Sequence, residues 1–522
     1  MSLLRNFLTV GGATLSSRVL GFVRDILIAA GLGTGPVADA FVVAFRFPNL
    51  FRRLFAEGAF NSAFIPLFAR ALEGQGEKEA KQFAQEAMAG LLTVLALVCG
   101  LSMIAMPLLM FIIAPGFIGD RDKYDLTVLL TRITMPYLAL VSLLALVSGV
   151  LNGLGRFAAA AFAPVFLNVV LIAVLGALIA AGLAGSEQAG VWLAIGVLIG
   201  GVAQLVLVAG DLYRAGFVLK LVRPRWNAAM KRLVELGIPG VIAGGITQIN
   251  IVVGTMIASL QAGAVSLLYY ADRLYQLPLG VVGIAIGVVL LPELGRRLKA
   301  ADERGVDVAQ TRSMEFAMVL TLPAAIALAA IPEPLVSVLF ERGAFDEDAR
   351  LGTATALQAF AVGLPAFVLI KVFSPAFFAR EDTQTPMRVA GLSVAINIAC
   401  SLALFPFMGH IGIALATSIA GWVNALVLYR LIRNRGYWSI GRPLRRKLLL
   451  LLVCSAAMGV SLIVLADVLD PALVLSAGLI VRMLGLALLV AAGVVVFFGL
   501  AHLSGAFRLG EMRQLLRKRD RA

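Results

Sequence analysis

Apolar stretches of about 20 residues, the length a helix needs to cross a bilayer, recur from the first residues of the chain to Leu503. Read as helices, they fall at 8–31, 36–68, 85–113, 126–155, 157–183, 190–210, 233–260, 264–294, 314–340, 351–379, 385–407, 411–429, 448–466 and 475–503. This predicts an all-α polytopic membrane protein of about 14 spans, with both termini on one side. No interval between them is long enough for a separate soluble domain. The first run is interrupted by Arg18, Arg24 and Asp25 and lacks a small-residue cleavage site, so it reads as a retained helix and not a signal peptide.

Polar residues inside these runs are not scattered. On the first predicted helix Thr14, Ser17, Arg18, Gly21 and Asp25 recur at spacings of three and four, which puts them on one face with Arg24 to the side. The second aligns Asp39, Arg46, Asn49, Arg53 and Glu57, with Arg52 adjacent and Arg53–Glu57 at ion-pair spacing. The eighth carries Ser266, Tyr269, Tyr270, Asp272, Arg273 and Gln276, and the seventh adds Gln248, Asn250 and Thr255. Arg132, Lys371 and Arg482 lie close enough to helix ends for snorkelling to explain them as well as function does. Arg52 does not: at the centre of a helix over 36–68 it is about 24 Å from either end.

Charge then separates scaffolding from binding. The first two helices hold Arg18, Arg24, Arg46, Arg52 and Arg53 against Asp25, Asp39 and Glu57, a cationic excess. At about 2.5–3.5 kcal/mol for each lipid-facing charge, eight such groups would cost more than a fold's whole stability margin, so this face is expected to line a wet cavity. An arginine excess there suits an anionic guest, because the guanidinium fork matches phosphate oxygens. Glycines 11, 12 and 21, with Pro48, Pro66, Pro278 and Pro292, mark candidate bends in the same helices. "GLGTGP" at 31–36 lacks the Lys-Ser/Thr of a phosphate loop and reads as a tight outer turn.

Composition agrees with this picture and narrows the chemistry. The 522 residues are 60% hydrophobic and only 14% charged, against about 25% charged for soluble domains. The net charge of +14 follows topology and does not point to nucleic acid. With the N-terminus inside, the outer loops carry only Arg121, Lys123, Arg342 and Arg350, while most of the 44 Lys and Arg fall in inner segments. Cys99, Cys400 and Cys454 lack metal-ligand spacing and read as small hydrophobes, and His410 and His502 are too few for His-based metal or triad chemistry. No cofactor or metal is expected.

A weak repeat organises the chain. "APGFIGDRDKYDLTVLLTRITMPYL" (114–138) resembles "ERGAFDEDARLGTATALQAFAVGLPAF" (341–367), with Pro136 and Pro365 in matching places; Arg156, Pro164 and Asn168 are echoed by Arg380, Pro386 and Asn397. The offset spans six helices, an even number, so two parallel six-helix lobes are expected. Their boundaries fall at 1–216 and 217–440, leaving 441–522 as two further helices and a basic tail.

Several segments are similar to the MurJ/MviN family of lipid II flippases: "SRVLGFVRD" (17–25), "ADAFVVAFRFPNLFRRLFAEGAFNSAFIP" (38–66), "APGF" (114–117) and "YYADRLYQLPLGVVGIAIG" (269–287). The resemblance extends over essentially the whole chain. It implies the multidrug/oligosaccharidyl-lipid/polysaccharide (MOP) exporter fold, two pseudo-symmetric MATE-like lobes around a central cavity, with the last two helices forming a lipid-facing groove. It also implies the cargo, an undecaprenyl-diphosphate disaccharide-pentapeptide moved from the inner to the outer leaflet of the bacterial plasma membrane. Family-sensitive positions match Arg18, Arg24, Asp39, Arg52, Arg53, Glu57 and Arg273, with Asp25 and Asp272 as neighbouring acids; Arg46 replaces the lysine of many relatives. Arg24, Arg52 and Arg273 are the group implied to meet the diphosphate.

The resemblance implies a monomer with cytoplasmic termini, whose partners are lipid II, the membrane and cell-wall synthesis or division proteins, and no nucleic acid. The rivals are a flippase for another polyprenyl-linked glycan, a cation-coupled drug exporter, a polyprenyl-phosphate glycosyltransferase and a scaffold of the cell-wall machinery. A cationic drug calls for an acidic cavity, a transferase for acidic or His-bearing loops, and a scaffold needs no buried charge excess.

Overall fold

The computed structural model describes residues 2–53 and 61–507; Glu57 and the basic tail after residue 507 lie outside the described residues. The described chain is helical with no strand, and ten of its helical segments are long and apolar enough to cross a membrane. It divides into two compact units, Met1–Ser266 with Arg342–Asp346, and Leu267–Glu341 with Glu347–Ala522.

The first unit contains α1 (Ser2–Leu32), α2 (Pro36–Phe51), α3 (Asn61–Gly74), α4 (Glu77–Ile104), α5 (Met106–Ile113), α6 (Arg121–Thr134), α7 (Tyr137–Gly153), α8 (Ala158–Ala180), α9 (Glu187–Arg214) and α10 (Ala228–Ser259). Side-chain caps start several of them: Asp120, Ser186 and Asn227 accept from the backbone N–H three residues on, opening α6, α9 and α10. Within the unit α1 packs along α8, α8 along α9, and α2 along α6.

Two predicted helices in this unit are broken, and proline explains each break. The run 85–113 divides at Ala105, just before Pro107, into α4 and α5, and 126–155 divides at Met135–Pro136 into α6 and α7. The predicted helix over 36–68 also differs from expectation. Its α-helical part ends at Phe51, with Arg52 and Arg53 in a π-helical turn, so Arg52 caps α2 and is not the midpoint of one regular helix. Inside α2, Pro48 has no N–H for the carbonyl of Ala44. The Thr134 hydroxyl donates to that oxygen at 2.8 Å, joining α6 to α2 at the gap.

The turn after α1 is held by backbone-to-backbone contacts. Ala344 N donates to Ala30 O at 2.9 Å and Gly185 N to Gly31 O at 2.7 Å. Gly33 and Gly343 have φ of +65° and +61°, and a Cβ on either would come within 2.3 Å of a carbonyl oxygen across the contact. Only glycine meets both demands.

The second unit contains most of α11 (Ala264–Lys299), then α12 (Glu303–Ala330), α13 (Pro332–Phe340), α14 (Glu347–Phe378), α15 (Gln384–Met408), α16 (His410–Asn434), α17 (Arg442–Val468), the short α18 (Asp470–Leu473) and α19 (Leu479–Leu503). The predicted helix 314–340 divides before Pro332 into α12 and α13. Pro365, the repeat partner of Pro136, lies inside the unbroken α14. Phe373, Phe377 and Trp438 sit in a core shared by α12, α14, α16, α17 and α19. Cys454 is buried there, and all three cysteines are free thiols.

α14 and α16 approach through reciprocal small residues. A Cβ on Gly363 of α14 would meet Ser418 atoms at 2.5–2.9 Å, and one on Gly421 of α16 would meet the Phe367 ring at 2.8 Å. Ser418 Oγ donates to Ala359 O at 2.6 Å across the same seam. Gly363→Val is expected to lower stability by about 1–3 kcal/mol through overpacking, read as a reduced Tm in detergent. Gly176→Ala, where an added methyl meets open space, is the control that should leave Tm unchanged or slightly raised.

Candidate functional site

Two charged clusters in the first unit separate residues that periodicity alone had aligned. The first is built on α1. Arg24 donates through Nε and Nη2 to Asp25 Oδ1 at 3.0 and 2.7 Å, and through Nη1 to Asn168 Oδ1 of α8 at 2.9 Å. Asn168 Nδ2 donates to Ser17 O at 2.9 Å, so the amide is oriented from both ends. Gly21 lies directly against it; a Cβ there would be 3.5 Å from Asn168 Nδ2. The Arg24 and Asp25 side chains are 11% and 5% exposed, so this guanidinium is held largely out of solvent in a fixed orientation.

α2 continues the cluster. The Arg24 guanidinium carbon lies 5.8 Å from the Phe45 ring centroid. Asn49 Nδ2 donates to Phe45 O at 2.7 Å and accepts from Arg52 Nε at 3.0 Å. Arg52 is therefore aimed by an asparagine one turn back, at the point where the α-helical pattern ends. Arg46 is half-buried, whereas Arg18 and Arg53 are exposed.

Asp39 belongs elsewhere. Periodicity placed it on the stripe with Arg46 and Arg53, yet it is fully buried at the opposite end of α2. Its carboxylate accepts from Lys123 Nζ at 2.6 Å, Gly263 N at 3.0 Å, and Ser266 N and Oγ at 2.9 and 2.7 Å. The Lys123 ammonium also lies 3.9 Å from the Phe117 ring centroid. Four donors satisfy Asp39, and it sits in the first turn of α2, where the helix dipole favours a negative charge.

Sequence reading had left Lys123 in an exposed outer loop. A signal was available: Lys123, Leu126, Thr127, Leu130, Thr131 and Thr134 share one helical face, and all are buried. Asn168 carried only its echo in the repeat. In the second unit, Asp272 accepts from Gln276 Nε2, and the Arg273 guanidinium carbon lies 4.6 Å from the Tyr269 ring centroid. Of the three end-of-helix charges, Arg132 and Lys371 are exposed. Arg482 is buried, donating to Ser337 O and Oγ at 2.6 and 2.8 Å, with Glu341 at 3.8 Å. Snorkelling does not describe it; it joins α19 to α13.

Among the described residues no His/Cys/Asp/Glu group is arranged to hold a metal ion. The arrangement offers oriented guanidiniums and no nucleophile–base pair.

The structure of "Lipid II flippase MurJ, inward closed conformation" superposes with a TM-score of 0.78, covering 95% of this chain and 98% of that one at 24% identity. An inward-facing MATE-family multidrug transporter of the MOP superfamily gives 0.67, covering 80% and 94% at 16% identity. The chain has the fold of these two structures. The family model "Lipid II flippase MurJ" matches residues 28–483. "Probable lipid II flippase MurJ" of Rhizobium tropici is 48% identical over 520 residues, 99% of this chain and 97% of that protein. "Lipid II flippase MurJ" of Burkholderia cenocepacia is 35% identical over 444 residues, 84% of this chain and 85% of that one. The chain belongs to the MurJ family of lipid II flippases, which are transporters and not enzymes.

Lys123→Met is expected to lower stability by about 3–5 kcal/mol, because it leaves the Asp39 carboxylate buried without its cation. Adding Asp39→Asn should recover part of that loss. A double-mutant cycle of Tm values in detergent checks both; additive effects would mean the pair is not coupled.

Proposed function

We propose that this protein carries lipid II, the undecaprenyl-diphosphate disaccharide-pentapeptide, from the inner to the outer leaflet of the bacterial plasma membrane by alternating access. The diphosphate is held in a cationic cavity by Arg24, Arg52 and Arg273, with Arg18, Arg46 and Arg53 contributing to its field. In this reading the chain crosses the membrane fourteen times with both termini cytoplasmic. The lobes are 1–216 and 217–440, and the helices of 441–522 guide the prenyl tail.

One observation supports the anionic guest above the rest. Asp39 is taken by Lys123 at 2.6 Å, so over the predicted helices 8–31 and 36–68 the sequence sets Arg18, Arg24, Arg46, Arg52 and Arg53 against only Asp25 and Glu57. The cationic excess of this segment is larger than charge counting along the two helices suggested. The Arg24 guanidinium is also oriented in advance by Asn168, which lowers the ordering cost of receiving a phosphate oxygen. A cation-coupled drug exporter would need the opposite sign of charge. A membrane potential negative inside would favour outward passage of the headgroup by about 2.3 kcal/mol per charge per 100 mV.

The test is depletion of the protein in a cell with no redundant flippase, followed by measurement of lipid II exposed on the outer leaflet. Depletion should trap lipid II in the inner leaflet, and wild type should restore it. Arg24→Ala, Arg52→Ala and Arg273→Ala should each restore transport about 10- to 100-fold less well, the worth of one charge-assisted hydrogen bond. Unchanged outer-leaflet lipid II after depletion would refute the cargo. Full rescue by all three variants would refute the arginine cavity.

A further inference from the structure

The first unit has a second basic recess, distant in sequence from Arg52 and Arg273 and built from different helix ends. Thr9 of α1, residues 155–159 at the start of α8, and Val206, Leu207, Gly210, Asp211 and Arg214 at the end of α9 line a cavity of about 650 Å³, within the range of small-molecule sites. Its charged groups are Arg156, Asp211 and Arg214. Arg156 is held by Asp211, donating through Nε to Oδ2 at 3.2 Å and through Nη2 to Oδ1. Arg214, one turn beyond Asp211, is exposed and has no ion-pair partner among the described residues. The site therefore carries one net positive charge; the positive end of the α8 dipole and the negative end of the α9 dipole both reach it and oppose one another.

The wall beside these charges is apolar and uncovered. Phe157, the N-cap of α8, is 38% exposed and Val206 of α9 64%, on two helices long and apolar enough to cross a membrane, and Tyr213, beside Arg214 in the last turn of α9, is 72% exposed. A soluble anion would need the arginines and not the wall. An amphiphile uses both, with its phosphate on Arg214 and a chain along Val206.

We infer that this recess binds the phosphodiester of an anionic bilayer phospholipid, with Arg214 as its cation and Asp211 holding Arg156 in reserve. The bound lipid bridges α1, α8 and α9, since residues of all three line the recess. This site shares no residue with the proposed diphosphate group, so it stands or falls independently of the cargo.

The full-length protein in detergent, titrated with phosphatidylglycerol or phosphatidylcholine and read by native mass spectrometry and Tm, tests the inference. Phosphatidylglycerol should bind and raise Tm more than phosphatidylcholine. Arg214→Gln should weaken that binding about fivefold, and Arg214→Lys should largely keep it. Asp211→Asn, which frees Arg156, should strengthen it by a similar factor. The Tm of each variant without lipid reports folding, and Arg214→Gln alone suffices if Asp211→Asn does not fold. Equal phosphatidylglycerol binding by wild type and Arg214→Gln would overturn the site. Displacement of phosphatidylglycerol by inorganic phosphate at equal concentration would overturn the lipid as its occupant.

Discussion

A carboxylate, a guanidinium or a lone peptide carbonyl set among apolar helices has no water to turn to, and several kcal/mol are lost for each one left without a partner. The first unit answers this demand repeatedly. Pro48 opens a carbonyl that Thr134 closes. Asp39 gathers an ammonium, a hydroxyl and two backbone amides. Arg24 is shared between Asp25 and Asn168. Each solution joins a different pair of segments, so satisfying the polar groups also fixes helix packing.

The same constraint decides how each charge is held. Asp39 and Lys123 neutralise one another in the interior and leave little to offer. Arg482 is likewise absorbed, by Ser337 and Glu341. Arg24 and Arg52 are each oriented by an asparagine, Asn168 and Asn49, and Arg24 is paired with Asp25 as well. A neutral amide fixes the direction of a guanidinium and adds no charge of its own.

Small residues do the complementary work. Where Gly33 meets residue 344, or Gly363 meets Ser418, the absence of a Cβ lets backbones come closer than any other residue would permit. Of the glycines read as candidate bends, Gly21 lies against Asn168, while Gly33 sits in the tight turn expected at 31–36. Pro107, Pro136 and Pro332 end or begin helices where the predicted spans ran on unbroken. Pro365 is absorbed by α14 without a break, in keeping with the predicted span 351–379.

Hydropathy by itself determined that the chain is a helical membrane protein, because a bilayer accepts only long apolar runs and helices satisfy their own backbone. Helical spacing also marked α1, α2 and α11 as the charged elements, and the motif segments pointed to the family. What spacing could not decide was which charge answers which. Arg24 and Asn168 are 144 residues apart, Asp39 and Ser266 are 227 apart, and periodicity carries no information about a neighbouring helix. Only the packing of α2 on α6 removed Asp39 from the arginine stripe and buried Lys123 against it, since a buried charge is assigned by whatever donor reaches it in three dimensions.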